Sequence, residues 1–411
     1  MEPDSGSALV LIALGAVLVV GPGTKAVCSR LGIPTSVGFI VLGLLFGPLI
    51  RPLTDPSSTA LEGIFSTLAQ LGVVALLFRV GLRSHTSAML QKLPRASFIW
   101  LANAVGSAVT GYLVSRFGLA WSLETSLVVG TAFSATSLAV SMAVWDELGI
   151  ADTDAGATLL DVAELDDLSA AVALAVLLGI LPALLGGNGN VWGLVGSSSI
   201  VVLAKLALFI VACYLFAHFA EAAFTGLNRR MSDTPASLTI SILGAGMAIA
   251  AIADLLGFSV AIGALFAGLA FSRDPDAVRT DGSFTYFYEF LTPFFFIHIG
   301  LQTDLTALAD AVSVGIVLFV AAALSKLAFT YAAACASMPG RDALNLGVSM
   351  IPRAEIALVV IYECRAIDED MVSHDVFAGI VLMSLATCIV APVALRRMLS
   401  AQSLSVQGRR G

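Results

Sequence analysis

Long apolar runs alternate with short polar connections along this chain. Thirteen of the runs approach the length needed to cross a ~30 Å hydrocarbon core as a helix. They lie near 7–24, 34–50, 60–82, 96–116, 121–145, 156–185, 195–220, 236–254, 257–272, 284–301, 307–338, 342–364 and 374–396. The eighth and ninth are separated by little more than Gly257. The pattern predicts an all-α, polytopic membrane protein with about thirteen transmembrane helices.

Basic residues orient it. With the N-terminus outside, Lys25, Arg30, Arg83, Lys92, Arg95, Arg229, Arg230, Arg273, Arg279, Arg341, Arg396, Arg397, Arg409 and Arg410 fall on the inner side. Only Arg51, Arg116 and Arg365 fall outside, a ratio of 14 to 3 that favours N-out and C-in. The first residues, MEPDSGS, are acidic, so the first run reads as a true span and not a cleaved signal.

Polar residues inside the spans are the exceptions that matter. Asp166 and Asp167 stand side by side in the sixth run, GATLLDVAELDDLSAAVALAVLLGILPALL. Asp166 is about ten residues in, hence ~15 Å deep. One Asp at a helix centre costs roughly 2.5–3.5 kcal/mol on the insertion scale, so an adjacent pair points to an ion or proton pathway. The fifth run carries Gly130, Ser134, Thr136 and Ser137 at its middle, a weak helix centre that can unwind beside a cavity. The twelfth carries Pro352, Arg353 and Glu355, and Pro352 breaks the helical ladder. Lys326 lies near mid-depth in the eleventh. Runs 5 and 12 are seven apart and so point in opposite directions, the pattern of inverted repeats spanning runs 4–6 and 11–13, with a binding site at the interface of two broken helices.

Composition agrees with this reading. The chain is 58% hydrophobic and 12% charged, against about 25% charged in soluble domains. A net charge of −8 with no basic patch argues against nucleic acid as a partner. Five scattered cysteines form no CxxC and no disulfide framework. No GxGxxG unit accompanies the membrane part. Residues 1–411 are therefore expected to be one membrane transporter domain without a C-terminal regulatory domain.

Several stretches look familiar. RLGIPTSVGFIVLGLLFGP (30–48), LAQLGVVALLFRVGL (68–82), GTAFSATSLAVSMAVWDELG (130–149), LLGFSVAIGALFAGLAFSR (255–273), LTPFFFIHIGL (291–301) and MIPRAEIALVV (350–360) resemble, in order, signatures of the Kef-type branch of monovalent cation/proton antiporters. The Asp-Asp pair with a lysine on span 11 is similar to the electrogenic sodium/proton members. That resemblance implies the sodium/proton antiporter fold and exchange of Na⁺ or Li⁺ for H⁺ by alternating access. It also implies a homodimer in the cell (inner) membrane and a role in pH homeostasis. Asp167 would be the cation and proton carrier, with Asp166 paired to Lys326, and Thr136 and Ser137 would line the site. Arg353 and Glu355 would stabilise the broken span. The transporting core would lie near 96–185 and 307–396, and the dimer and scaffold part near 7–82 and 195–301. No cofactor is implied beyond the transported Na⁺ or Li⁺ and H⁺, and no enzymatic activity.

The chain departs from the resemblance in places. PRAE stands where PRGE is usual, Ser169 and Ala170 follow the aspartates where a glycine is usual, and Arg79 and Arg83 end the third signature where an acid is usual. Asp161 and Glu164 are additional acids on run 6. With Asp167 they are spaced i, i+3, i+6 and trace one side of the helix over ~9 Å of rise, an expected cytoplasmic funnel for cations. A K⁺/H⁺ antiporter or K⁺ efflux porter of the same fold is the alternative, and a non-transporting sensor a distant one. An intramembrane aspartyl protease is disfavoured, since its two aspartates come from separate spans. Arg79, Lys205 and His298 receive no role from the sequence.

Overall fold

The computed structural model describes residues 5–50, 59–83, 86–186, 191–231, 235–272, 281–303 and 305–407. Arg51, Arg273, Arg279, Arg409 and Arg410, used above for orientation, lie outside the described residues, as do the side chains of Arg83, Lys92, Arg95 and Arg229. Every regular element described is helical. In chain order the helices are α1 (Ser5–Leu31), α2 (Thr35–Ile50), α3 (Thr59–Arg83), α4 (Thr86–Leu113), α5 (Leu123–Ser134), α6 (Leu138–Glu147), α7 (Asp154–Leu185), α8 (Val191–Leu215) and α9 (Glu221–Met231). They continue as α10 (Pro235–Leu255), α11 (Val260–Phe271), α12 (Asp281–Gln302), α13 (Leu305–Asp310), α14 (Val312–Ala334), α15 (Gly340–Ser349), α16 (Glu355–Ile367) and α17 (His374–Gln407). Short π-helical turns at Val114–Gly118 and Phe216–Ala220 follow α4 and α8.

Among the described residues, nine helical stretches are long and apolar enough to cross a membrane, with shorter apolar helices at Thr35–Pro48 and Val260–Phe271. The protein is an integral, multi-pass membrane protein. Each of the thirteen expected runs falls on a helix or a broken pair, but those at 34–50, 257–272, 284–301 and 342–364 are not among the nine. Several helices outrun their apolar cores: α1 continues to Leu31 and α17 to Gln407. Hydropathy marks the length that lipid selects, and the backbone ladder continues past it.

The join between runs eight and nine is a turn. Gly257 has φ +89°, which a side chain resists, and Phe258 N donates to Ala253 O at 3.0 Å to close α10. Ser259 then caps α11 by accepting from Ala261 N at 3.1 Å.

The chain divides into two compact units. The first holds residues 1–23, 39–90 and 175–302. Its helices meet at glycines. Gly81 on α3 faces Gly268 on α11, and Gly43 on α2 faces Gly300 on α12. A Cβ on Gly81 would run into the Leu265 carbonyl, and one on Gly43 into the Ile297 carbonyl. Lipid offers no hydrophobic drive for helix association, so close backbone approach supplies it. This unit also houses the unassigned polar residues. Arg79 lies 4.1 Å over the Tyr288 ring, His298 and Gln302 hydrogen-bond at 2.9 Å, and Lys205 Nζ donates to Leu256 O at the end of α10 at 3.2 Å.

The second unit holds residues 24–38, 91–174 and 303–411. The α1–α2 turn, placed with the scaffold part by the sequence reading, lies here: Ile33 and Val37 pack with Val140, Ala354, Leu385 and Cys388. The unit repeats one motif, a helix, a helix broken midway, and another helix: α4, α5/α6, α7 and α14, α15/α16, α17.

Replacing Gly81 or Gly268 by Val is expected to lower stability by about 2 kcal/mol or more through overpacking. The check is thermal unfolding of detergent-solubilised protein; melting temperatures equal to wild type would reject the tight-crossing account.

Candidate ion-binding site

The two broken segments meet at their interruptions. Ser137 N donates to Pro352 O at 2.7 Å, and the Ser137 hydroxyl to Glu355 Oε2 at 2.8 Å. Farther along, Ser141 Oγ donates to Ser349 O at 2.6 Å and Trp145 Nε1 to Ser349 Oγ at 2.9 Å. At the other end Thr125 Oγ1 donates to Met371 O at 2.8 Å. Rising numbers in one segment meet falling numbers in the other, so the two run antiparallel, as an inverted repeat requires.

Four helix ends converge at this crossing, the C-termini of α5 and α15 and the N-termini of α6 and α16. The charged side chains match them. Arg353, fully buried, donates to Phe133 O at 2.7 Å at the end of α5, to Ile351 O at 3.2 Å beyond α15, and to Ala322 O of α14 at 3.3 Å. Lys326 donates to Ser134 O at 2.7 Å, also at the end of α5. Cations thus sit where helix dipoles are negative, and Glu355 stands at the start of α16, where the dipole is positive. The unwound backbone of Arg353 is satisfied from one face of α17: its N–H donates to Thr387 Oγ1 at 3.2 Å, and its carbonyl accepts from Ser384 Oγ at 2.7 Å and Cys388 Sγ at 3.3 Å.

The aspartates lie beside this crossing, on α7. Asp166 is fully buried and Asp167 half-buried. Three donors reach Asp166 Oδ2: Lys326 Nζ at 2.6 Å, Thr136 Oγ1 at 2.6 Å and Asn103 Nδ2 at 2.7 Å. The opposite oxygen, Asp166 Oδ1, and the neighbouring Asp167 Oδ1 are buried without a hydrogen-bond partner among the described residues. Two unsatisfied carboxylate oxygens on adjacent residues suit a bare cation or a proton. A buried anion without either would be costly.

The sequence-derived residues therefore part company. Asp166, Thr136 and Lys326 form one cluster; Ser137 turns away to Glu355. The Ser134 hydroxyl bonds its own helix at Thr131 O, 2.8 Å away, and only its carbonyl takes part. Asp161 and Glu164 lie half-buried about two turns and one turn, respectively, before Asp167 on α7. Of the acids preceding α7, Glu147 is held by Arg396 at 2.9 Å, which offsets its contribution to any attracting field.

The profile of the family described as "Sodium/hydrogen exchanger, transmembrane" matches residues 14–401. The chain belongs to this family. The exchanger is 24% identical over 372 residues to a "Na(+)/H(+) antiporter" of Enterococcus hirae, covering 90% of this chain and 93% of that one. It is 23% identical over 381 residues to the "Na(+)/H(+)-K(+) antiporter GerN" of Bacillus cereus, covering 92% and 93%. Its fold is that of the sodium proton antiporter MjNhaP1 from Methanocaldococcus jannaschii, with a TM-score of 0.71 at 18% identity over 98% of this chain and 99% of that one.

Sequence reasoning missed Asn103 and the α17 trio Ser384, Thr387 and Cys388. Asn103 is an amide in an otherwise apolar run, a signal of the same kind as Lys326 but weaker. The trio is spaced i, i+3, i+4 and so shares a face, yet small polar residues at that spacing serve equally for helix packing.

Arg353→Lys is expected to cost about 2–4 kcal/mol, because one ammonium cannot span three carbonyls and charged hydrogen bonds contribute roughly 1.5–3 kcal/mol each. Arg396→Lys, at a solvent-facing pair, is expected to stay within about 1 kcal/mol. Comparative thermal melts decide; equal shifts would reject the capping role of Arg353.

Proposed function

We propose that this exchanger is a secondary active antiporter that trades Na⁺ or Li⁺ for H⁺ across the membrane by alternating access, with electrogenic stoichiometry. The observation that carries the reading is the pair of buried, unpartnered oxygens Asp166 Oδ1 and Asp167 Oδ1 beside an Asp166 Oδ2 held by three donors. Asp167 carries the cation or the proton. Lys326 releases its own proton when the cation takes its partner, so two protons leave per cation bound. Sodium is a hard cation and takes oxygen ligands, here the aspartates with hydroxyl and backbone oxygens of the crossing and water. Arg353 and Glu355 hold the crossing and do not touch the cargo. The transporting part comprises residues 96–174 and 307–396 with the α1–α2 turn at 24–38, and the remainder of 7–82 with 195–301 forms the scaffold and dimer part. The protein works as a homodimer in the cell (inner) membrane and serves pH homeostasis. The names of the Enterococcus and Bacillus relatives support the sodium reading, and the latter also supports K⁺ as a second cargo.

Proteoliposomes carrying the purified protein should show proton movement driven by Na⁺ or Li⁺ gradients, accelerated by a membrane potential of the appropriate sign. Asp167→Asn should reduce it to background. A wild-type protein inert to Na⁺, Li⁺ and K⁺ alike would reject the antiporter reading.

Asp161 and Glu164 form the inward funnel. Asp161→Asn with Glu164→Gln should raise the apparent cation KM roughly three- to tenfold while exchange persists, as expected for lost electrostatic concentration of cations. An unaltered KM at low ionic strength removes the funnel from the mechanism.

A further inference from the structure

Helix α4 contributes a residue to the site that neither the aspartate pair nor the broken helices called for. Asn103 is fully buried, and its Nδ2 lies 2.7 Å from Asp166 Oδ2. Its own Oδ1 accepts from Thr330 Oγ1 at 3.0 Å, and Thr330 is fully buried too. This second bond fixes the amide. Were the amide flipped, its oxygen would face a carboxylate oxygen, acceptor against acceptor; Asp166 sets the orientation, and the Thr330 hydroxyl, able to donate or accept, holds the amide in it. A buried Thr in a helix commonly returns its hydroxyl to its own backbone, but Thr330 spends it on Asn103. Thr330 is also four residues from Lys326, on the same face of α14. One helix therefore carries both the charged donor to Asp166 and the residue that aims the neutral one.

The register of α4 against α7 is held by a second contact. Trp100 Nε1 donates to Ser169 Oγ at 3.0 Å, and Ser169 Oγ donates to the Asp166 carbonyl at 3.0 Å. Trp100 and Asn103 are three apart on α4, and Asp166 and Ser169 three apart on α7. Both pairs lie on facing sides one turn long. Ser169 stands where the family resemblance places a glycine, so this anchor belongs to this chain's own residues.

A carboxylate has acceptor sites on both oxygens, about four in all. Distributing donors over both would hold the charge best. Here three donors crowd onto one oxygen while the other takes none. That arrangement locks the carboxylate's rotation and leaves Oδ1 buried without a hydrogen-bond partner among the described residues.

We propose that Asn103, oriented by Thr330, is a positioning residue for cation binding. It is a neutral donor that holds Asp166 Oδ2, and with it the carboxylate's orientation, in the part of the cycle when Lys326 has given up its proton. This rests on the antiporter reading above. Lys326 and Asn103 then divide the work: the lysine exchanges its proton, and the amide stays constant. Losing the amide leaves Thr136 as the remaining holder whenever the lysine is neutral.

The test uses Thr330→Val, which keeps the shape and removes only the hydroxyl, beside Asn103→Ala and Thr330→Ser in full-length protein. Sodium-driven proton movement is measured in proteoliposomes as KM and maximal rate. Sodium binding to the detergent-solubilised protein is measured in parallel. Asn103→Ala should weaken binding and raise KM roughly tenfold, the effect of one lost hydrogen bond to a charged group. Thr330→Val should raise KM about threefold, and Thr330→Ser should recover most of that. Both weakened variants should keep a maximal rate within about twofold of wild type. An active wild type with unchanged KM in Thr330→Val overturns the inference alone. So does a fall in maximal rate at constant KM, which marks a merely structural role. A wild type that neither binds Na⁺ nor moves protons overturns the antiporter reading, and the inference falls with it.

Discussion

Open backbone inside a membrane is the constraint from which the rest follows. Two helices are interrupted at the same place, at 135–137 and 351–354, and hydrocarbon cannot satisfy the freed N–H and C=O groups. The chain meets this cost from within. The two interruptions bond each other through Ser137 and Pro352, Arg353 serves carbonyls from three segments, and one face of α17 serves the backbone of Arg353. With that network complete, the ends of four half-helices present fixed partial charges at a single point.

The site uses those charges. Lys326 is stabilised both by the end of α5 and by Asp166, so the ammonium can remain buried without neutralising the whole carboxylate. One oxygen of Asp166 is taken and the other left, and Asp167, the next residue, adds a second buried oxygen without a hydrogen-bond partner among the described residues. A fully paired cluster would be more stable and useless for transport. The two buried, unpartnered oxygens are where burial cost has been left uncompensated, and the proposed cation or proton would compensate it.

Packing in the other unit answers a different demand. There the helices approach closely through Gly43, Gly81, Gly268 and Gly300, with aromatic rings such as Phe78, Phe271 and Phe284 filling the adjoining space. Lys205 there donates to the end of α10.

The sequence by itself determined the helical class, the membrane setting and most of the polar outliers. In lipid every charge and every break is expensive, so Asp166, Asp167, Lys326 and the Pro352–Glu355 stretch stood out against their background without any knowledge of contacts. Asn103, Thr330 and the Ser384–Thr387–Cys388 face did not stand out, because hydroxyls and a single amide are tolerated in membrane helices for many reasons. Which oxygen of Asp166 is bonded, that Ser137 serves Glu355 and not the aspartates, and that the turn at 32–35 packs with the broken helices were decided only by the tertiary structure. Hydropathy and cost are properties of a residue in its solvent and can be read one position at a time. A hydrogen bond is a property of two positions, and partners as far apart as Asn103 and Thr330 meet only once the helices have packed.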